Sequence, residues 1–326
     1  MESTGCSGII HKGRKIMQQQ QGGFWRRLGR IWVPFLIKIG ISYLVSFLVT
    51  IGLMYVYLVT QSGNDAEVMM SMLESDASVQ EISNAIALEA ENYSTYMEGI
   101  SAALTIPIML FMFHRDRIRE KVHGIAAAVK APLRQCWTIL LMAAALCIGL
   151  NNLFLLSGLS TQDEAYVESM EQMYSPSLFM QLLCLGVLTP LCEELVYRAL
   201  VYKRMREQSG FLASAIYSTL VFAILHVYFV QIIYAFIMGM IFCYLYEKFG
   251  SIRAPAAAHM TANIVSILGT QFAWFDWMLA EPARVILITI ACAAIASSMY
   301  VLMERMIDNE EPLPEIPEQK ENGSDT

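Results

Sequence analysis

A chain of 326 residues that is 56% hydrophobic and only 16% charged, with a mean hydropathy of +0.47, is too apolar for a soluble domain of this size. Soluble domains carry roughly a quarter of their residues as charges. The composition excludes a soluble enzyme and points to an all-α, polytopic bundle of about eight membrane-spanning helices. The net charge of −7 is an average over blocks of opposite sign. No nucleic-acid partner is expected; the lipid bilayer is.

Residues 1–30 are polar and basic, with Lys12, Arg14, Lys15, Arg26, Arg27 and Arg30. The uncharged run Ile39–Val59 that follows is long enough to span and lacks a small-residue cleavage site, so it reads as a signal-anchor helix with its basic flank in the cytoplasm. Residues 61–98 then hold Asp65, Glu67, Glu74, Asp76, Glu81, Glu89, Glu91 and Glu98 without a lysine or arginine, the composition of an extracytoplasmic segment. Met69, Met70, Met72, Leu73, Val79, Ile82, Ile86 and Leu88 suggest one or two amphipathic helices over the mouth of the bundle. A substrate-gating lid and a plain solvated loop both fit that stretch. Asn92-Tyr93-Ser94 matches a glycosylation acceptor, a triplet common by chance.

A second span, about 97–113 with Pro107, runs into the basic stretch His114–Lys121, continued by Lys130 and Arg134. The third (136–160) ends in Asp163, Glu164, Glu168 and Glu171. The fourth (about 177–200) closes at Lys203, Arg204 and Arg206; the fifth (about 210–230) holds His226; the sixth (about 231–247) ends at Glu247-Lys248. The seventh (about 254–273) carries His259 and Asn263, and the eighth is 285–303. The tail with Pro312, Pro314 and Pro317 is too polar to fold alone. An even number of crossings from a cytoplasmic start places both termini in the cytoplasm, in a membrane such as the bacterial plasma membrane. The seven cysteines (6, 136, 147, 184, 192, 243 and 292) show no C-x-x-C spacing and read as buried free thiols.

The fourth span contains Thr189-Pro190-Leu191-Cys192-Glu193-Glu194-Leu195-Val196-Tyr197-Arg198. A charge at bilayer depth costs at least about 2.5–3.5 kcal/mol on insertion scales, and three together demand a reason. Glu194 and Arg198 are four apart and can pair on one helical face, which turns Glu193 toward something else. His11, His114 and His123 fall in basic flanks and read as solvated, whereas His226 and His259 lie in apolar spans. His259 and Asn263, four apart, share a face and can donate together to a developing oxyanion. His226 follows Phe222 by four, which sets an aromatic wall beside an imidazole and makes Phe222 a candidate substrate contact. A carboxylate beside a histidine can hold and deprotonate one water, and water activator plus oxyanion donors suffice to hydrolyse a peptide bond.

Glu193-Glu194-x-x-x-Arg198, Phe222-x-x-x-His226 and His259-x-x-x-Asn263, in this order, resemble the motifs of the CPBP family of CAAX-processing and bacteriocin-processing intramembrane proteases. That family includes Rce1-like prenyl-protein endopeptidases and bacterial Abi proteins. The resemblance covers about 177–273 and departs at Ala199, where many members have glycine. It implies that Glu193 and His226 activate water, that His259 and Asn263 hold the oxyanion, and that Glu194 and Arg198 orient the site. It implies as substrate a peptide or membrane-anchored protein, with C-terminal CAAX-type processing as one form.

The chain thus divides into a basic amino-terminal segment (1–30), amino-terminal spans with acidic loops (31–176), the family-like core (177–273), a last span (274–304) and an acidic tail (305–326). Glu193, His226 and His259 could supply three zinc ligands, with water as the fourth. No H-E-x-x-H is present, and with His259 working beside Asn263 too few ligands remain, so hydrolysis without a cofactor is the favoured reading and a zinc enzyme the alternative. A transporter, or an immunity or scaffold protein, is the non-proteolytic alternative, since buried Glu, Arg and His also mark transport paths. Counted along straight helices, Glu193 and His259 lie ten and six residues from the cytoplasmic flank, and His226 sixteen from Gly210, nearer the other face.

Overall fold

The structure, a computed structural model, describes residues 23–123, 136–159 and 163–308. The basic residues up to Lys15, the pair Lys130 and Arg134, and the proline-rich tail from 309 onwards lie outside the described residues. The described residues form twelve helices and no strand. In chain order these are α1 (Phe24–Ser62), α2 (Ala66–Glu74), α3 (Asp76–Asn92), α4 (Ser94–Val122), α5 (Cys136–Leu156) and α6 (Glu164–Met173). There follow α7 (Leu178–Arg206), α8 (Phe211–Ile224), α9 (Phe229–Phe249), α10 (Arg253–Gln271), α11 (Trp274–Leu279) and α12 (Pro282–Asp308).

Helices stand at all eight places where the sequence reading puts a span. Six of them, α1, α4, α5, α7, α9 and α12, are long and apolar enough to cross a membrane. The 14 residues of α8 rise about 21 Å, short of a hydrocarbon core of about 30 Å. The 19 residues of α10 are long enough but dilute their apolar side chains with His259, Thr261, Asn263 and Ser266. Those two more polar or shorter helices are the ones that carry His226 to its place and hold His259.

The two ends of the bundle differ in charge. At the basic end Arg204 Nε donates to Asp116 Oδ2 at 2.7 Å, and Arg30 Nη1 donates to Glu207 Oε2 at 2.7 Å. Lys203 pairs with Glu120 at 2.6 Å, and Arg206 with Glu247 at 2.8 Å. These bonds tie α1, α4, α7 and α9 together. The opposite end carries α2, α3 and α6, with Asp65 and Asp163 as side-chain caps that accept the first free N–H groups of α2 and α6.

Residues 61–98 are helical, as their amphipathic pattern suggests, and their place is specific. Ile82 and Ile86 are buried against Leu58, with Met69 and Met72 packed beside them. Met70, Leu73, Val79 and Leu88 from the same pattern stay exposed. So α2 and α3 pack on the far end of α1, and it is α6 that reaches over the bundle interior.

Two apolar clusters build the interior. One joins α5, α9, α10 and α12 through Ile139, Met142, Phe242, Ala258, Ala262 and Met303. The other joins α1, α4, α7 and α8 through Ile31, Met109, Leu195, Val196, Leu200 and Phe222. Small residues allow the close approaches: a Cβ at Gly99 of α4 would overlap Cys184 Sγ of α7. Cys147, Cys184, Cys192, Cys243 and Cys292 are buried and free.

Candidate active site

The glutamate pair sits at the seam between the two clusters, in a helix with irregular hydrogen bonding. Over Leu182–Leu188 and Leu195–Tyr202 the bonds of α7 widen to π-helical turns, with one short α-helical stretch, Thr189–Glu194, between them. Pro190 contributes by lacking an N–H to donate. Single π-turns inside α-helices are common where a backbone must present functional groups, because each changes which residues share a face.

Glu194 is completely buried and takes two partners on one oxygen. Arg198 Nη1 donates to its Oε1 at 2.7 Å, and His259 Nδ1 lies 2.9 Å from the same atom. Arg198, equally buried, also donates through Nη2 to the Gly239 carbonyl at 3.3 Å. Its guanidinium lies over the rings of Phe222 (4.5 Å) and Phe242 (5.2 Å). Glycine at 239 is required by this approach: a Cβ there would stand 2.7 Å from Thr219 Cγ2 and 2.9 Å from Arg198 Nη2. A charge this deep is tolerable because it is paired, hydrogen-bonded and roofed by aromatic faces at once.

With Nδ1 turned to a carboxylate, the His259 ring presents Nε2 to the other glutamate, 3.7 Å from Glu193 Oε2. Phe242 stacks on the imidazole at 4.7 Å, and Phe222 meets it edge-on at 5.9 Å. His226 lies in the turn that joins α8 to α9, since α8 stops at Ile224. Its Nδ1 is 3.2 Å from the Phe222 carbonyl, an acceptor, which fixes the proton on Nδ1 and leaves Nε2 as the basic nitrogen. The early end of α8 thus resolves the depth mismatch counted along straight helices. His226 and Glu193 line the same cavity.

That cavity holds about 480 Å³. Glu193, His226, His259, Asn263 and Phe222 all line it, whereas Glu194 and Arg198 lie behind its wall. Asn263 donates through Nδ2 to the Leu185 carbonyl at 2.9 Å, in the first widened segment of α7. One of its two amide hydrogens is spent there and the other remains for a ligand. The outer wall comes from Tyr166, Met170 and Met173 of α6. Thr95 pins that helix through the Met173 carbonyl at 2.5 Å, and Tyr166 rests edge-on against Tyr228 at 5.5 Å.

Two further charged residues reach the cavity: Lys38 of α1 and Glu98 of α4. Sequence reasoning missed both. A span drawn from Ile39 stops one residue short of Lys38, and Glu98 closes an acidic loop and so passes for surface. The signal that could have found Lys38 is a lysine between the apolar runs Ile31–Ile37 and Ile39–Leu44. Among the described residues no three His, Cys, Asp or Glu side chains converge as a metal site would require.

Residues 175–265 match the family model described as type II CAAX prenyl endopeptidase Rce1-like. No curated protein and no solved structure matches the chain. The match encloses α7, α8, α9 and the part of α10 that carries His259 and Asn263, and with them all the motif residues in the cavity lining. Over residues 175–265 the chain is thus similar to the Rce1-like type II CAAX prenyl endopeptidases.

Proposed function

We propose that the protein hydrolyses a peptide bond with a water activated by Glu193 and His226, without a metal. The observation that carries this reading is the division of labour in the glutamate pair. Glu194 absorbs both Arg198 and the Nδ1 side of His259, so Glu193 faces the cavity with, among the described residues, no basic side chain closer than His259 Nε2 at 3.7 Å. A water held between the Glu193 carboxylate and His226 Nε2 would meet two bases. On the opposite side of the scissile carbonyl the second amide hydrogen of Asn263 would donate to the oxyanion, joined by His259 Nε2 when that ring carries a proton on both nitrogens. Phe222 and Phe242 give the apolar walls that exclude competing water, and Glu194 with Arg198 fixes the ring that carries Nε2.

The substrate in this reading is a peptide or membrane-anchored protein, with a C-terminal CAAX-type segment as the form the family suggests. With the basic end in the cytoplasm, as the positive-inside rule has it, both termini are cytoplasmic. The cavity, walled by α6 and the α8–α9 turn, then lies toward the extracytoplasmic half. The unit from 177 to 273 supplies the chemistry, and the segments before it supply walls and charge.

The test is cleavage of a fluorogenic peptide library by detergent-purified protein, wild type beside His226→Ala, each with and without a strong zinc chelator. Cleavage lost in His226→Ala by about 10²–10⁴-fold, and unchanged by the chelator, is the expected outcome. Cleavage abolished by the chelator and restored by zinc would make Glu193, His226 and His259 metal ligands and overturn the metal-free mechanism.

A further inference from the structure

The family match begins at residue 175, yet two charged side chains in the cavity come from helices far outside it. Lys38 lies midway along α1 and Glu98 in the first turns of α4, both half-buried. Each stands on a polar face that is otherwise hard to account for at bilayer depth. Lys38 and Ser42 are four apart on α1; Glu98 and Ser101 are three apart on α4; Thr189 and Glu193 are four apart on α7. Residues i, i+3 and i+4 share a helical face. The three faces meet: Lys38, Glu98, Thr189 and Glu193 line the main cavity, and a smaller hollow beside it is walled by Lys38, Ser42, Glu98, Ser101 and Thr189.

Two observations show that this convergence serves something beyond packing. The hydroxyls of Ser42 and Thr189 are buried without a hydrogen-bond partner, so this region is polar but not closed on itself. Lys38 also lines the same cavity as Glu193, so its ammonium faces the space that the Glu193 carboxylate faces. It shares that lining with a second carboxylate, Glu98.

We propose that Lys38 is a positioning residue for hydrolysis: from α1 its charge orients the Glu193 carboxylate toward the cavity, and Glu98 is the counter-charge that makes a lysine tolerable at this depth. The amino-terminal helices thereby complete a site whose reacting groups all belong to the family-matched segment. The proposal rests on the reading of Glu193 as the water activator.

The experiment uses the full-length protein and one peptide that the wild type cleaves. It measures kcat and KM for wild type, Glu193→Gln, Lys38→Met, Lys38→Arg and the double variant Lys38→Met/Glu98→Gln. The double variant removes both charges and leaves neither uncompensated, which keeps the test open where Lys38→Met alone fails to fold. The expected result is a kcat at least ten-fold lower in Lys38→Met and in the double variant, with KM within three-fold. Lys38→Arg, which keeps the charge, is expected to retain a third or more of kcat. A folded Lys38→Met or double variant with kcat within three-fold of wild type would overturn the proposal. A raised KM with unchanged kcat would also overturn it, by making Lys38 a substrate contact. Cleavage that survives Glu193→Gln would instead remove the reading on which the proposal rests, and the two failures are told apart by that variant.

Discussion

Two adjacent glutamates have opposite environments here, and the difference comes from one residue of helical phase, about 100°. Glu194 points inward, where Arg198 and His259 converge on a single oxygen, while Glu193 reaches the cavity. The pairing of Glu194 with Arg198 was legible from their spacing alone, because residues four apart on a helix must meet. The additional hold on His259 was not, since it depends on how α10 crosses α7. Neither was the stacking of Phe242 on His259, because that phenylalanine looks like any other core residue in an apolar helix. Glu194→Gln removes one charge of a fully buried pair, and a lost partner in such a pair costs about 3–5 kcal/mol. We expect a markedly lower unfolding temperature in detergent for Glu194→Gln; a temperature equal to that of the wild type would show that the pair does not hold the site together.

At the scale of the helix, the site depends on two departures from regularity. The widened turns of α7 bracket Thr189–Glu194, and α8 ends at Ile224 so that the next turn can carry His226 into the cavity. Hydropathy finds apolar runs but is blind to where a helix stops within one, so the sequence shows a continuous fifth span through 230. The expectation of amphipathic helices in 61–98 holds, yet the periodicity could not say that α6, rather than α2 or α3, would wall the cavity. That depends on the Thr95 and Tyr228 contacts. The basic end makes its own prediction. Asp116 is buried between Arg204 at 2.7 Å and Arg30 at 3.5 Å, so Asp116→Asn leaves buried Arg204 without its carboxylate and Arg30 with Glu207 alone. A loss of about 3–5 kcal/mol is expected, read as a lower unfolding temperature. Cleavage per folded molecule should be unaffected, because none of these residues lines the cavity.

Over the whole molecule, the bundle keeps its charges at the two ends and one polar seam between two apolar clusters. The architecture was readable because membrane helices announce themselves by long uncharged runs and alternating charged flanks. The composition of the seam was only half readable. Three motifs in α7, α8 and α10 stood out as charges and histidines in apolar runs. Lys38 and Glu98 sat at the margins of spans, where a charge looks ordinary, and only the packing of α1 and α4 against α7 brings them in. The central claim is that Glu193 activates the attacking water, and its most direct test is the cleavage rate of Glu193→Gln measured beside its unfolding temperature. Glutamine keeps the shape and removes the base. The account predicts a rate lower by about 10²–10⁴-fold with an unfolding temperature close to that of the wild type. A Glu193→Gln variant that cleaves at a rate within ten-fold of the wild type, while folded, would contradict it.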